Sequence, residues 1–326
     1  MDILQEISLV FISVMASFAL ALILGKIFIP LLHRMKFGQP VRDDGPQTHL
    51  KKQGTPTMGG MFIAIAMVIA CLIFSGKCSE ELWAMMAASL LFAVIGLIDD
   101  LKKIREHNSK GIRAWQKIAL QLIFGSLCAV YAYMNYGSDI YIPFLGKTVE
   151  MGWAFIPFCV VFMIAFTNSV NLTDGLDGLA ASVTGINALY YALMFILFAS
   201  VGYNTDGSIF SGILLGSIMG YLIYNSYPSK VMMGDVGSFL LGGALSSLAI
   251  ISKTELLVPI SGIMFVLSSV SVILQVGSYK LRHKRIFKMA PLHHHFELMG
   301  YSETNIVTAY TVITGIAVMA ALLWIK

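Results

Sequence analysis

Ten stretches of apolar sequence, each close to the length of a membrane-crossing helix, leave this chain few folds to choose from. They cover about 7–32, 58–74, 82–98, 115–134, 152–166, 179–198, 208–223, 239–251, 256–279 and 305–325. Roughly 20 apolar residues carry a helix across bilayer hydrocarbon. A backbone in lipid must satisfy its own polar groups, so only helices and closed barrels span it. Composition agrees, because 57% of the 326 residues are hydrophobic and 12% charged, against about 25% charged in a soluble domain. The expectation is an all-α integral membrane protein, one polytopic domain over residues 1–326. Asp2 and Glu6 are acidic, and the first 25 residues hold no basic start and no small-residue cleavage site. The first run is therefore read as a span and not as a cleaved signal peptide.

Charge orients the bundle. Of 22 Lys and Arg, only Lys77, Lys147, Lys253 and Lys326 fall on the side of the termini. The other 18 lie in or beside the loops at 33–57, 99–114, 167–178, 224–238 and 280–304, which the positive-inside tendency makes cytoplasmic. Both ends then lie outside. The net charge of +4 follows from this topology and from affinity for anionic lipid head groups, and no nucleic-acid-binding motif accompanies it. Cys71, Cys78, Cys128 and Cys159 lack metal-type spacing and read as packing residues. Outside, two short runs flanking Leu145-Gly146 predict a β-hairpin over 140–151. No internal repeat is visible.

Polar residues interrupt the apolar pattern at five places, and the topology brings all five to one membrane face. The loop at 168–178 reads Asn-Ser-Val-Asn-Leu-Thr-Asp-Gly-Leu-Asp-Gly, where either a polar turn or a functional site would fit. On helical backbone Asn171, Asp174 and Asp177 would share a face. The segment 49–60 combines Lys51, Lys52 and Thr57 with Gly59 and Gly60, a set that permits close approach to an anion or forms a basic membrane-edge loop. Asp99 and Asp100 are adjacent near a helix end whose dipole disfavours them, unless a metal or cation compensates. The fourth loop supplies Asn225 and Met233-Gly-Asp-Val-Gly-Ser238, in which Asp235 lies between glycines that admit another backbone or a phosphate. In the fifth, 280–288 is basic and reads as a short interfacial helix. His293, His294 and His295 follow without zinc-type spacing, so phosphate contact is the better reading. Gln275 and Gly277 interrupt the ninth span, predicting a broken helix there.

Clustered acids, lysines and imidazoles at one face fit phosphoryl transfer, in which catalysis is mostly positioning and charge stabilisation with a divalent cation. Mg²⁺ prefers one or two carboxylates, waters and substrate phosphate oxygens. Asp235 and an amide such as Asn171 could supply protein ligands, and Asp99 could assist the attacking oxygen. Taken together, Lys51-Lys52-x-Gly-Thr-Pro-Thr-Met-Gly-Gly60, Asp99-Asp100, Asn171-Leu-Thr-Asp-Gly-Leu-Asp-Gly178, Met233–Ser238 and Pro291-Leu-His-His-His-Phe-Glu297 resemble the phospho-N-acetylmuramoyl-pentapeptide transferases. These belong to the polyprenyl-phosphate hexosamine-1-phosphate transferase superfamily, and the resemblance covers nearly the whole chain. It implies transfer of phospho-N-acetylmuramoyl-pentapeptide from a UDP donor to undecaprenyl phosphate, yielding lipid I and UMP for peptidoglycan. It further implies Mg²⁺ and a homodimer of ten-span subunits in the bacterial plasma membrane. By position, Asp99 is similar to the proposed base, Asp100 to its acidic partner and Asp235 to the Mg²⁺ ligand. Lys52, Thr57, Asn171, Asp174, Asp177, Asn225 and Gln275 match the nucleotide pocket, and His293–His295 the donor-side loop. Where many members place a uracil-stacking Phe, this chain has Met232.

Three rivals remain. An intramembrane aspartyl protease would need Gly-x-Gly-Asp, but Met232 occupies its first glycine position. A transporter would place polar residues across several midplane positions with repeat symmetry. A sister transferase moving another UDP-hexosamine 1-phosphate is separated by donor choice.

Overall fold

The computed structural model describes residues 3–35, 54–77, 79–106, 108, 110–198 and 205–325. The Lys51–Lys52 pair, and Lys52 as a candidate substrate ligand, lie outside them. Twelve helices and one hairpin follow in chain order among the described residues. They are α1 Ile3–Arg34, α2 Gly60–Phe74, α3 Glu80–Glu106, α4 Ala114–Tyr136, β1 Asp139–Ile142, β2 Lys147–Glu150, α5 Phe155–Thr173, α6 Leu179–Leu197 and α7 Thr205–Asn225. Then come α8 Gly234–Ile251, α9 Val258–Ser261, α10 Ile263–Arg282, α11 Leu292–Glu297 and α12 Glu303–Leu322. Nine of these helices are long and apolar enough to cross a membrane, while α2, with 15 residues, is a shorter apolar helix. The all-α membrane architecture read from the apolar runs is the one observed.

Helix α8 is the centre of the bundle. Every residue from Val236 to Ile250 is buried, as expected of a helix surrounded on all sides by other helices. Its small residues let neighbours approach closely, the usual device where lipid supplies no hydrophobic drive between helices. A Cβ on Gly242 would lie 2.8 Å from the Thr167 backbone in α5, and one on Gly243 would lie 3.1 Å from Ser89 and Phe92 in α3. A second small-residue seam joins α7 to α1, where Gly212, Gly216 and Gly220 recur every fourth residue beneath Val10, Val14 and Phe18.

Opposite ends of the bundle carry different groups. At one end, Asp206 Oδ2 accepts hydrogen bonds from Ser79 N (2.7 Å) and Ser79 Oγ (2.6 Å), and Ser208 donates to Glu6. The hairpin lies there too, in antiparallel register with Ile142 opposite Lys147. The Lys253 ammonium lies 2.8 Å from Asp139, and Tyr141 Oη donates to Trp324 O at 2.8 Å. Glu255, in the turn after α8, is buried, with only its own backbone amide and the charge of Lys253 offsetting desolvation. Burial pushes its carboxyl up to about 8.

Four expectations are corrected. The ninth span breaks at Gly262, between α9 and α10, while α10 continues unbroken through Gln275 and Gly277. Those residues are accommodated because Gln275 bonds outward from the helix to a neighbouring loop. Helix α5 ends at Thr173, so Asn171, Asp174 and Asp177 do not share a helical face; Asp174 caps the helix at φ −78°, ψ 58°. The basic run 280–288 is the end of α10 followed by irregular chain, and the short helix is Leu292–Glu297, carrying the histidines. Lastly, α3 continues to Glu106, placing Asp99 and Asp100 about two turns inside its end.

Candidate active site

Backbone packing brings two distant acid pairs together. Helix α3 approaches the start of α8 through Gly96, where a Cβ would collide with the Asp235 carbonyl. The residues leading into α2 pair with those leading into α8: Met232 N donates to Pro56 O (2.8 Å), Gly59 N to Met232 O (2.8 Å) and Gly60 N to Met233 O (2.9 Å). A Cβ on Gly60 would strike Gly237. The glycines of these two motifs therefore serve helix contact, the alternative that the sequence left open for the pair around Asp235. Gly234 has φ +74° and lies against Asp100 and Thr57, the latter buried beside this turn.

The result is a three-carboxylate cluster. One oxygen each from Asp99, Asp100 and Asp235 fall within 4.8 Å of one another. Each acid also commits an oxygen to fixing its surroundings. Asp99 Oδ1 accepts from Ile112 N (2.9 Å), in a loop where Gly111 adopts φ +62° so that the chain can pass over the carboxylate. Asp100 Oδ2 accepts from Val236 N (2.9 Å), tying α3 to the first turn of α8. Asp235 Oδ1 accepts from Asn171 Nδ2 (3.1 Å), which also donates to Ser238 Oγ (2.8 Å). Asp235 stands in the first turn of α8, where the helix dipole favours an anion.

Two lysines complete the cluster, and sequence reasoning did not select either. Lys103 Nζ lies among all three acids, at 2.6 Å from Asp99 Oδ2, 3.2 Å from Asp235 Oδ1 and 3.8 Å from Asp100 Oδ1. Lys117 Nζ is 2.9 Å from Asp235 Oδ2 and 3.5 Å from Asp99 Oδ1. Three carboxylates face two ammonium groups, so one negative charge is left uncompensated when all three acids are ionised. Asp99 Oδ2 touches Lys103 at ion-pair distance but has no aligned hydrogen bond. Three carboxylates offering oxygens within 4.8 Å of one another make an oxygen-rich donor set that fits a hard divalent cation such as Mg²⁺. Lys103 was detectable, since it lies one helical turn after Asp99. Lys117 gave no signal, being 18 residues away across a loop.

The other candidates divide into those near the cluster and those holding the chain around it. Asp174 follows α5 just beyond Asn171, and burial, reinforced by the carboxylates of Asp235 and Asp100, pushes its carboxyl up to about 8. His293 is fully buried against Gly175, where a Cβ would collide with the imidazole. His294 Nδ1 lies 3.1 Å from Glu297, and its ring lies 4.3 Å from that of His293. Four candidates are engaged in fixing loops. Asp177 Oδ2 accepts from Ser229 N (3.0 Å), and its own amide donates to Glu303. Asn225 Oδ1 accepts from Gly178 N (2.9 Å) while its amide nitrogen donates to Val231 O (2.8 Å). Gln275 accepts from the amides of Ile286 (3.0 Å) and Phe287 (2.9 Å) and donates to Phe287 O (3.0 Å). His295 Nδ1 accepts from Lys288 N (3.1 Å). Met232 is half-buried, its backbone engaged with Pro56 and Gly59.

Residues 82–253 match the family described as Glycosyl transferase family 4. The chain is also similar to three proteins named phospho-N-acetylmuramoyl-pentapeptide-transferase. The one from Clostridium novyi (strain NT) is 47% identical over 311 residues, covering 95% of this chain and 94% of that one. For Clostridium botulinum (strain Alaska E43 / Type E3) the identity is 45% over 305 residues, covering 93% and 92%. For Caldanaerobacter subterraneus subsp. tengcongensis it is 43% over 305 residues, covering 94% and 95%.

Proposed function

Since this chain belongs to the phospho-N-acetylmuramoyl-pentapeptide-transferase family, we infer that it transfers phospho-N-acetylmuramoyl-pentapeptide from its UDP-linked donor to undecaprenyl phosphate, forming lipid I and UMP. The observation that carries the chemistry is the Asp99–Asp100–Asp235 cluster with its two lysines. Mg²⁺ would be held by Asp235 and the inward oxygen of Asp100, where it would neutralise the donor diphosphate and polarise its phosphorus. Asn171, read from sequence as a possible ligand, also orients Asp235 through its amide nitrogen.

The protein's own groups set up the rest. Asp99 Oδ2 is the acceptor for the proton of the lipid phosphate, whose second pKa near 6 leaves little work for a base. A lipid phosphate oxygen then bonds to the sugar-bearing phosphorus, and the bond from that phosphorus to the bridging oxygen breaks. The electron pair departs on UMP. Lys103 and Lys117 offset the charge gathered at the cluster, an electrostatic contribution that is large in a water-poor site. Asp100 holds α3 and α8 in register, so that two elements far apart in sequence act on one phosphorus. Thr57, Asp174, His293 and His294 border the donor side, with Lys52 assigned there by motif alone. Asp177, Asn225, Gln275 and His295 shape the loops.

The basic bias of the loops at this end supports a cytoplasmic site with both termini outside. Location in the bacterial plasma membrane and a homodimeric state rest on the motif resemblance. The test is incubation of purified protein with UDP-N-acetylmuramoyl-pentapeptide, undecaprenyl phosphate and Mg²⁺, following UMP and lipid I. Absence of both products overturns the reading, and faster turnover of another UDP-hexosamine selects the sister reaction. Asp99→Asn, Asp100→Asn and Asp235→Asn should each lower kcat by roughly 10²-fold or more, and EDTA should abolish turnover until Mg²⁺ is restored.

A further inference from the structure

A cavity of about 430 Å³ lies between α3, α4, α5 and α8, far from the carboxylates. Ala87 and Leu91 of α3, Cys128 of α4, Met163 of α5 and Ile250 of α8 form its wall, which is overwhelmingly apolar. Glu80, Trp83 and Tyr131 also line it, and all three are exposed. Glu80 begins the helix in which Asp99 lies 19 residues later, so the two are separated by about 28 Å along the axis. The cavity therefore belongs to the leaflet opposite the reaction.

An apolar void of this size, within the roughly 300–1,000 Å³ of ligand pockets, has too few polar partners to order water. A hydrocarbon chain seated here would make dispersion contacts along these walls. Moving such a chain from bilayer to cavity gains little hydrophobic free energy, because lipid tails are as apolar as the wall. Selectivity must come from the polar rim. Glu80 stands in that rim, Glu81 follows it in the first turn of α3, and Asp206 holds Ser79, the residue before the helix. This rim repels anionic head groups and suits a head group with a protonated primary amine, which can donate to the Glu80 carboxylate.

We propose that this cavity is a binding site for one acyl chain of a phosphatidylethanolamine-type phospholipid, its ammonium seated on Glu80. The site is independent of the reaction at the other end of the bundle. It is tested by native mass spectrometry of the full-length protein in mild detergent with equimolar phosphatidylethanolamine and phosphatidylglycerol of identical chains. At least fivefold more of the amine lipid should be retained. Glu80→Gln should bring the two within twofold, and Ala87→Phe, filling the cavity from a partly open position, should remove the tight adduct of either lipid. In vesicles, the amine lipid should slow labelling of Cys128 by an apolar maleimide, read by peptide mapping, in the native protein and not in Ala87→Phe. Unchanged helix content and elution establish that both variants fold. Equal retention of the two lipids, or no effect of Glu80→Gln, overturns the proposal. So does a polyprenyl phosphate adduct that strengthens in Glu80→Gln, which would assign the cavity to the acceptor's tail, or a dimer lost in Ala87→Phe, which would assign it to a second copy.

Discussion

Asp99, Asp100 and Asp235 each hold a neighbouring protein group with one oxygen while an oxygen of each converges on the cluster. Such double duty makes the residues around them as critical as the acids. Gly111 has no side chain to contribute, yet a Cβ there would lie 2.5 Å from Asp99 Oδ1, on a backbone at φ +62°. Gly111→Ala should therefore lower kcat at least tenfold with helix content unchanged, measured as UMP release beside circular dichroism; undiminished turnover would show that the loop yields without disturbing Asp99. The acids were legible in the sequence because carboxylates in apolar surroundings are conspicuous. Gly111 and Lys117 were not, because their meaning depends on contacts that no local pattern encodes. A different residue, Glu255, contributes to the pH response. Its folded-state carboxyl titrates at about 8, above an ordinary Glu near 4.3, so the folded protein binds the extra proton and loses stability as pH rises between those values. Glu255→Gln should remove that loss. Its thermal midpoint should exceed that of the native protein by a few degrees at pH 8.5, with the gap narrowing toward pH 5. A gap independent of pH would mean that Glu255 does not carry the titration.

At the level of elements, helices were read well and their interruptions poorly. Apolar runs declare a span, whereas Gln275 and Gly277 suggested a break that does not occur because the glutamine finds partners outside its helix. Gly262, the actual break, sits in an apolar run that looks unremarkable. The loop at 168–178 was read with helical periodicity past Thr173, where the helix has already ended. Small residues tell a different story, since their role is visible only once a neighbour is in place. Gly216 of α7 is pressed against the Val14 carbonyl of α1. Gly216→Val should destabilise this pair by about 1–3 kcal/mol, the usual effect of overpacking. It should lower the thermal midpoint in detergent, while Gly315→Val, at an open position in α12, serves as the control. Equal midpoints for the two variants would remove the seam from the account of stability.

Across the whole molecule, the hairpin, the Glu255 turn and residues 205–208 stand at one end and the carboxylates at the other. That division into two ends was legible from the alternation of apolar runs and loops along the chain. The assembly of the site from acids nearly 140 positions apart followed only from folding the loops onto one face. Single cysteines at the exposed positions Lys147 and Lys230, introduced with the native thiols replaced, should react with a membrane-impermeant maleimide from opposite sides of sealed vesicles. Labelling of both from the same side would dismantle the topology. The stretch after α10 has its own logic. Gln275 grips it solely by the backbone of Ile286 and Phe287, so the anchor is indifferent to what side chains that stretch displays. Evolution can rewrite the surface displayed there, one substitution at a time, and leave the carboxylate cluster untouched.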